Sequence, residues 1–331
     1  MSVTIKDIAR MANVSPATVS RILNHHEGFI SEATRQRVLK IVEEQQYTPN
    51  PYARSLVTNR SKTIGVIVPD ILNPFFCELL GGADSAAQKL GYNLLLCNSD
   101  GDMEKERNYI ESLSQRSDGI LLVSNPVTVP EEFLSRFKLP IVTIDRPVTS
   151  GKCAVGSVHD DLEQCGYQPT AYFTQSGHRN IAFLCGPREY PSSEQRYRGY
   201  CRALAEAGIS VDPQLTRFGT FSHDFGYRSV CDMLDQGVFF SAICCMSDML
   251  ALGAMQALRE RQRAIPEDCA IIGCDDIFLS RMLEHPLSAV KRNIYQMGVR
   301  GVELLVEAMG QETPKFREEI LPVSLVLRAT T

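Results

Sequence analysis

The sequence predicts an α/β protein in which two parallel-sheet subdomains follow an all-α head. Three observations predict it. From about Lys62 onward, apolar runs of strand length alternate with amphipathic stretches, the pattern of parallel strands flanked by helices. Before Lys62 the chain instead carries closely spaced helix-start signals and no strand-like run. Charge divides at the same point: residues 1–62 hold nine Lys and Arg against five acids, a net +4, while the remaining 269 residues hold 25 against 34, a net −9. A basic head on an acidic body points to a polyanion as partner of the head alone.

The head reads as three short helices. Thr4 with Asp7 three residues later forms a capping box with a short acid, and Ile5, Ile8, Ala9 and Ala12 follow at helical spacing. Asn13 stands where the chain leaves that helix, because Asn tolerates the left-handed conformation, and Val14 packs in the turn. Ser15 is an N-cap and Pro16 takes the first helical position, where its missing N–H costs nothing. In this second helix Thr18, Val19 and Ile22 face inward, and Ala17, Ser20, Arg21 and Asn24 share the opposite face. A third helix is capped by Ser31, carries Glu32 in its first turn, gives Val38, Leu39, Ile41 and Val42 to the core, and stops before Pro49. Two helices across a tight turn with a third as buttress read either as a helix-turn-helix or as an ordinary three-helix cap on a larger domain. In the first case the small outward residues let the second helix approach base edges, and Arg21 offers a bidentate contact to guanine.

The stretch NPYARSLVTNRSKT that follows is rich in Pro, Asn, Ser and Arg, the composition of a polar linker, although Tyr52, Ala53 and Leu56 fall at near-helical spacing. Beyond it come the runs TIGVIVPD, NLLLCNSD, GILLVSN, IVTIDR, NIAFLCGP, AICCMSD and CAIIGCDD, one series of about four and another of about three. Two similar subdomains are therefore expected, with a ligand cleft beyond the carboxyl ends of their strands.

The residues just after each run suit a small polyhydroxylated ligand. Phe75 and Phe76 can stack on a sugar ring or a planar base. Asp145 and Arg146, then Tyr190, Ser192 and Arg196, then Phe221, Ser247, Asp248 and Asp275 supply carboxylates, guanidinium groups and hydroxyls, which can each engage adjacent sugar hydroxyls. Taken singly, Asp145 with Arg146 reads as an ion pair at a strand end, and the Phe pair as core.

Other classes leave residues 1–56 unexplained. No GxGxxG after a strand, GxxxxGK[ST], HExxH or GxSxG occurs, and the six histidines do not cluster, so no enzyme, catalytic residue, metal or cofactor is expected. The eleven cysteines lack metal-ligand spacing and read as small buried hydrophobes in a reducing compartment. With 44% hydrophobic residues, no secretory leader and no apolar run of spanning length, the chain is expected to be soluble and cytoplasmic, not membrane-bound.

TIKDIARMANVSPATVSRILN, followed by ISEATRQRVLKIVEEQQYTPNPYARSL, resembles the DNA-binding head and hinge of the lactose-repressor (LacI/GalR-type) family of bacterial transcription regulators. The resemblance extends over essentially the whole chain. It implies a helix-turn-helix head at 1–48, a hinge at 49–61, and a periplasmic-binding-protein-like effector and dimerisation body at 62–331, whose subdomains comprise roughly 62–160 plus 293–320 and 161–292 plus 321–331. It implies operator contacts from Thr4, Ser15, Pro16, Ala17, Thr18, Arg21, Asn24, Tyr47, Arg54 and Leu56. Pro16 and Ala17 would choose the sequence, Arg21 would read a base, Thr4, Asn24 and Tyr47 would position the head, and Leu56 would wedge into a minor-groove step.

The same resemblance implies a homodimer on a palindromic operator and allosteric control by a sugar or sugar derivative, with a purine or sugar phosphate as the alternative effector. A periplasmic transport receptor would share the body but not the head. The last run, ILPVSLVLRATT, reads as a final strand with little room for a tetramerisation tail, so a dimer is preferred. Ser247 stands where the family has Asn, Asp161 where Asn is usual, Cys165 where Gly is usual, and Pro169 falls early in the helix after Asp161. These departures weaken any transfer of ligand identity. His178 reads as a turn residue.

Overall fold

The computed structural model describes residues 3–23, 30–48, 60–123, 129, 131–145 and 154–331. They form two compact units, Met1–Ser61 and Lys62–Thr331.

In the first unit α1 (Ile5–Met11), α2 (Pro16–Leu23) and α3 (Glu32–Glu44) pack around Ile8, Ala9, Ala12, Val19, Ile22 and Val38. The expected local signals appear as hydrogen bonds. Thr4 and Asp7 close the capping box, Ser15 Oγ accepts from the Thr18 N–H at 3.1 Å, and Ser31 Oγ accepts from the Thr34 N–H at 3.3 Å. Asn13 turns the chain at φ 52°, which lets the Val14 N–H reach the Ala9 carbonyl at 3.0 Å and fixes the tight angle between α1 and α2. Leu39 departs from expectation: it is 43% exposed, because Val38, Ile41 and Val42 fill the inward face of α3.

The second unit contains two six-stranded sheets rather than runs of four and three. The first has the order β11-β5-β4-β3-β1-β2, from β1 (Thr63–Val68), β2 (Asn93–Asn98), β3 (Gly119–Leu122), β4 (Ile141–Ile144), β5 (Gly156–Asp160) and β11 (Arg317–Leu321), all parallel. The second has the order β12-β10-β9-β8-β6-β7, from β6 (Ile181–Cys185), β7 (Thr216–Phe218), β8 (Ala242–Cys245), β9 (Ala270–Asp275), β10 (Ser288–Lys291) and β12 (Ser324–Val326). Only β12 runs antiparallel to its neighbour. The segment read as one final strand is two: Pro322, which has no N–H to give a ladder, marks the step from the first sheet to the second.

The central strands are buried on both faces, which is why their runs are continuously apolar rather than alternating, whereas the edge strand β2 is largely exposed. In β8, Ile243 and Cys245 face α9 (His223–Asp235) and α10 (Asp248–Glu260), while Ala242 and Cys244 face α7 (Leu162–Gln175) and α8 (Pro191–Glu206). On the first sheet, α4 (Pro74–Lys89) and α12 (Ile294–Met309) cover one face and α5 (Met103–Ser114) and α6 (Glu131–Leu134) the other. Three helix pairs meet backbone to backbone through glycine. A Cβ would lie 2.0–2.1 Å from a carbonyl oxygen at Gly82 and Gly298 between α4 and α12. It would lie 1.8–2.0 Å away at Gly166 and Gly199 between α7 and α8, and 2.0–2.2 Å away at Gly226 and Gly253 between α9 and α10. Pro169 falls in the middle of α7 rather than early in it, and the helix continues through it.

Most described cysteines are packing residues as expected: Cys165, Cys185, Cys244, Cys245, Cys269 and Cys274 are buried, whereas Cys77 is exposed. Burial pushes the Cys185 thiol up to about 11 and the Cys244 thiol up to about 12, far from the reactive range. Among the described residues no helix is long and apolar enough to cross a membrane.

Candidate functional site

On the first unit, the exposed face of α2 carries Pro16, Ala17 and Arg21. These residues leave Val19 and Ile22 to anchor the helix beneath. Ser15 and Thr18 are joined at 2.9 Å between their hydroxyls and spend their oxygens on the cap. Thr4 Oγ1 is likewise 2.6 Å from Asp7 Oδ2, so it is a cap residue first. Tyr47 is partly buried against the head core, and burial raises its phenol pKa. Asn24, Arg54 and Leu56 lie outside the described residues.

In the second unit a cavity of about 310 Å³ opens between the carboxyl ends of the two sheets. Nine expected residues line it: Phe75, Phe76, Asp145, Tyr190, Ser192, Arg196, Phe221, Ser247 and Asp275. Arg146 lies outside the described residues. Asp248 does not line the cavity. Ser247, one residue earlier, caps α10 and faces the space, while Asp248 turns inward and accepts from the Ile277 N–H at 2.9 Å and from Ser280 Oγ at 2.7 Å.

The walls come from both subdomains. Phe75 and Phe76, on the first turn of α4, meet edge to face with centroids 5.1 Å apart. Phe75 is also a core residue, 4% exposed, and borders the cavity from within that core. Across the space Phe221 covers the end of β6, where Gly186 makes room: a Cβ there would lie 2.0 Å from the ring. Arg196 rises from α8 with its guanidinium carbon 5.4 Å from the Phe221 centroid, a cation–π contact. It is 3% exposed, donates through one terminal nitrogen to the Met246 carbonyl at 3.0 Å, and keeps Nε without a protein partner. Arg196 thus brings a buried guanidinium to the cavity wall, held by the Met246 carbonyl and the Phe221 ring.

The floor is an ion cluster that the sequence reading did not anticipate. Arg292 follows β10 and donates Nε to Asp160 at 2.6 Å, one terminal nitrogen to Asp275 at 3.1 Å and the other to Asp145. Its guanidinium also lies 4.7 Å from the Phe75 centroid. Burial raises the Asp160 carboxyl against the pull of Arg292, and burial likewise raises Asp275. Asp248, buried beside Asp275 and repelled by its charge, is pushed up to about 7. Asp145 and Asp276 hold left-handed backbone at φ 59° and 61°, strain that places carboxylates at strand ends. Ser99 and Glu106 also line the cavity and were not singled out from sequence. No group of three or more His, Cys, Asp or Glu among the described residues could hold a metal ion. His178 bonds Ser241 Oγ at 2.9 Å near a turn, as expected.

Residues 4–50 match the model described as bacterial regulatory proteins, lacI family, and residues 170–331 match a periplasmic binding protein-like domain. The HTH-type transcriptional repressor PurR of Vibrio atlanticus (strain LGP32) is 36% identical over 99% of this chain and 98% of that protein. The lac repressor dimer bound to operator and the anti-inducer ONPF superposes with a TM-score of 0.85 at 26% identity, covering 100% of this chain and 99% of that one. A complex of the transcriptional regulator CelR with cellobiose superposes with a TM-score of 0.76 at 28% identity, over 99% of this chain and 100% of that one.

Proposed function

The chain belongs to the lacI family of bacterial regulatory proteins, DNA-binding transcriptional regulators with an effector-binding domain, and from that premise we propose that a small sugar or sugar derivative in the cavity sets its grip on a palindromic operator. The observation that carries the ligand class is the pairing of Arg196 with Asp275 along the wall of one aromatic-lined space. A guanidinium and a carboxylate can together take both hydroxyls of a vicinal diol while Phe75, Phe76 or Phe221 covers a ring face. The three aromatic rings also favour a second reading, a planar heterocycle such as a purine. On this reading the chain is a cytoplasmic repressor of carbohydrate use, without a catalytic step; its relatives are transcriptional regulators rather than enzymes.

Two recognition helices are needed because one reads too few bases, so the body dimerises. Apolar residues exposed on both subdomains support this: Leu95 and Leu96 on edge strand β2 with Leu72 nearby, and Phe278 and Met282 on the short helix α11 (Phe278–Arg281) and its C-cap. Leu96→Glu combined with Met282→Glu is expected to give a monomer by sedimentation, with native melting but greatly weakened operator binding. A double variant that stays dimeric would move the interface elsewhere. The head contacts are proposed from the family resemblance for Thr4, Ser15 to Thr18, Arg21, Asn24, Tyr47, Arg54 and Leu56. Leu56→Ala should weaken specific binding far more than salt-dependent non-specific binding.

The ligand test is a thermal-shift screen against sugars, sugar acids, sugar phosphates and purines, in which a compound at 100 times its dissociation constant adds about 2.7 kcal/mol. A sugar-class shift that disappears in Arg196→Ala supports the reading. A hit only among purines, or one unaffected by Arg196→Ala, overturns it.

A further inference from the structure

We propose that Arg292 is the positioning residue that holds the angle between the two subdomains and links that angle to the cavity, an inference that rests on the effector-controlled reading above. The chain passes between subdomains three times, between β5 and α7, between β10 and α12, and between β11 and β12. The three passages are tied to one another. Arg292 Nε in the second donates to Asp160 in the first at 2.6 Å, Asn293 Nδ2 in the second donates to the Pro322 carbonyl in the third at 2.7 Å, and the Asp161 N–H donates to the Leu321 carbonyl at 3.1 Å.

Of these tying residues, Arg292 is the one that also lines the cavity. Its planar fork binds Asp145 and Asp160 at strand ends of the first sheet and Asp275 at a strand end of the second, so its three bonds cannot change independently. A ligand hydroxyl that donates to Asp145 or Asp275 must share that carboxylate with Arg292. Asp160 Oδ1 is buried without a partner, which leaves an acceptor beside the guanidinium into which a displaced N–H can move. Two bonding arrangements at the passages then correspond to two angles between rigid subdomains, the kind of element that a ligand can bias.

The test uses the full chain. A duplex is selected from random DNA with the unmodified protein, and its affinity is measured for Arg292→Gln, Arg292→Lys and Asn293→Ala alongside melting temperature and amide exchange. Lysine keeps the charge among the three acids and loses the fork. Arg292→Lys is expected to restore most of the melting temperature lost in Arg292→Gln, yet to shift duplex affinity at least fivefold and to speed exchange at the Asp161 amide at least tenfold, with the centres of β3 and β8 unchanged. Asn293→Ala, outside the cavity, should speed exchange near Pro322 and change duplex affinity less than threefold. Full recovery of affinity and exchange by Arg292→Lys would reduce Arg292 to a buried counter-charge and overturn the proposal. Failure of the unmodified chain to select any duplex would count against the regulator reading alone, and the exchange at Asp161 would still decide the role of Arg292.

Discussion

In the head the charged side chain of α2, Arg21, stands exposed over a core of six buried residues, whereas the body buries Asp160, Asp275 and Arg292 at or just after strand ends and Arg196 and Asp248 on helices. On the function proposed above, the two placements serve partners of different kinds. A polyanion brings its own counter-charge and releases counterions, so a solvated arginine on a small helix suffices to meet it. A small neutral ligand brings little energy of its own, and polar groups must be desolvated and oriented before it arrives. The head keeps its charge solvated, and the body keeps its charge buried and hydrogen-bonded.

That contrast can be tested by removing charge from each region. The largest effect is expected for Arg292→Met, which leaves Asp145, Asp160 and Asp275 without their shared cation; urea denaturation should show the body destabilised by about 3–5 kcal/mol. Arg21→Ala should leave head stability unchanged within error while costing about 1–3 kcal/mol of binding to the selected operator, concentrated at one base position. A loss of head stability in Arg21→Ala would break the comparison.

Next comes pH. Because the Asp248 carboxyl is pushed up to about 7 in the fold, the folded protein holds that proton more tightly than the unfolded chain. Stability from this group is therefore full below the ordinary carboxylate range and is lost as pH rises through 7. Asp248→Asn should flatten the fall in body stability between roughly pH 6 and 8 by about 1 kcal/mol. Parallel curves for the two proteins would place the titration elsewhere. The smallest effect belongs to Ser15→Ala, which removes the cap of α2 and should lower head stability by about 0.5–1 kcal/mol in thermal melts without altering the body.

The two regions also differed in how far they could be read from sequence. In the head the deciding interactions span three residues, Thr4 to Asp7, Ser15 to Thr18 and Ser31 to Thr34, so a local reading recovers the caps, the turn at Asn13 and the exposed face. At the cavity the strand-end rule located nine lining residues but could not orient them. Ser247 and Asp248 are adjacent, and only the position of Ile277 and Ser280 turns one toward the ligand space and the other away. Arg292 was missed for a different reason: β10 is the four-residue SAVK, with no apolar run to announce a strand, and its partners lie 17, 132 and 147 residues away. A buried ion cluster gathered over such distances has no local signature, although a basic pair interrupting an otherwise apolar stretch was visible at Lys291 and Arg292.

The three glycine-paired helix contacts have a consequence for how such a chain can diversify. At Gly82, Gly166, Gly199, Gly226, Gly253 and Gly298 an added methyl group meets a carbonyl oxygen at 2.2 Å or less, so saturation mutagenesis should find these six positions closed to every other residue. None of the six borders the cavity, while Thr220 lines it from the loop before α9. Inherited variation is thereby channelled: the frame resists drift at six points, and the rim is left free to acquire a new chemical signal to answer.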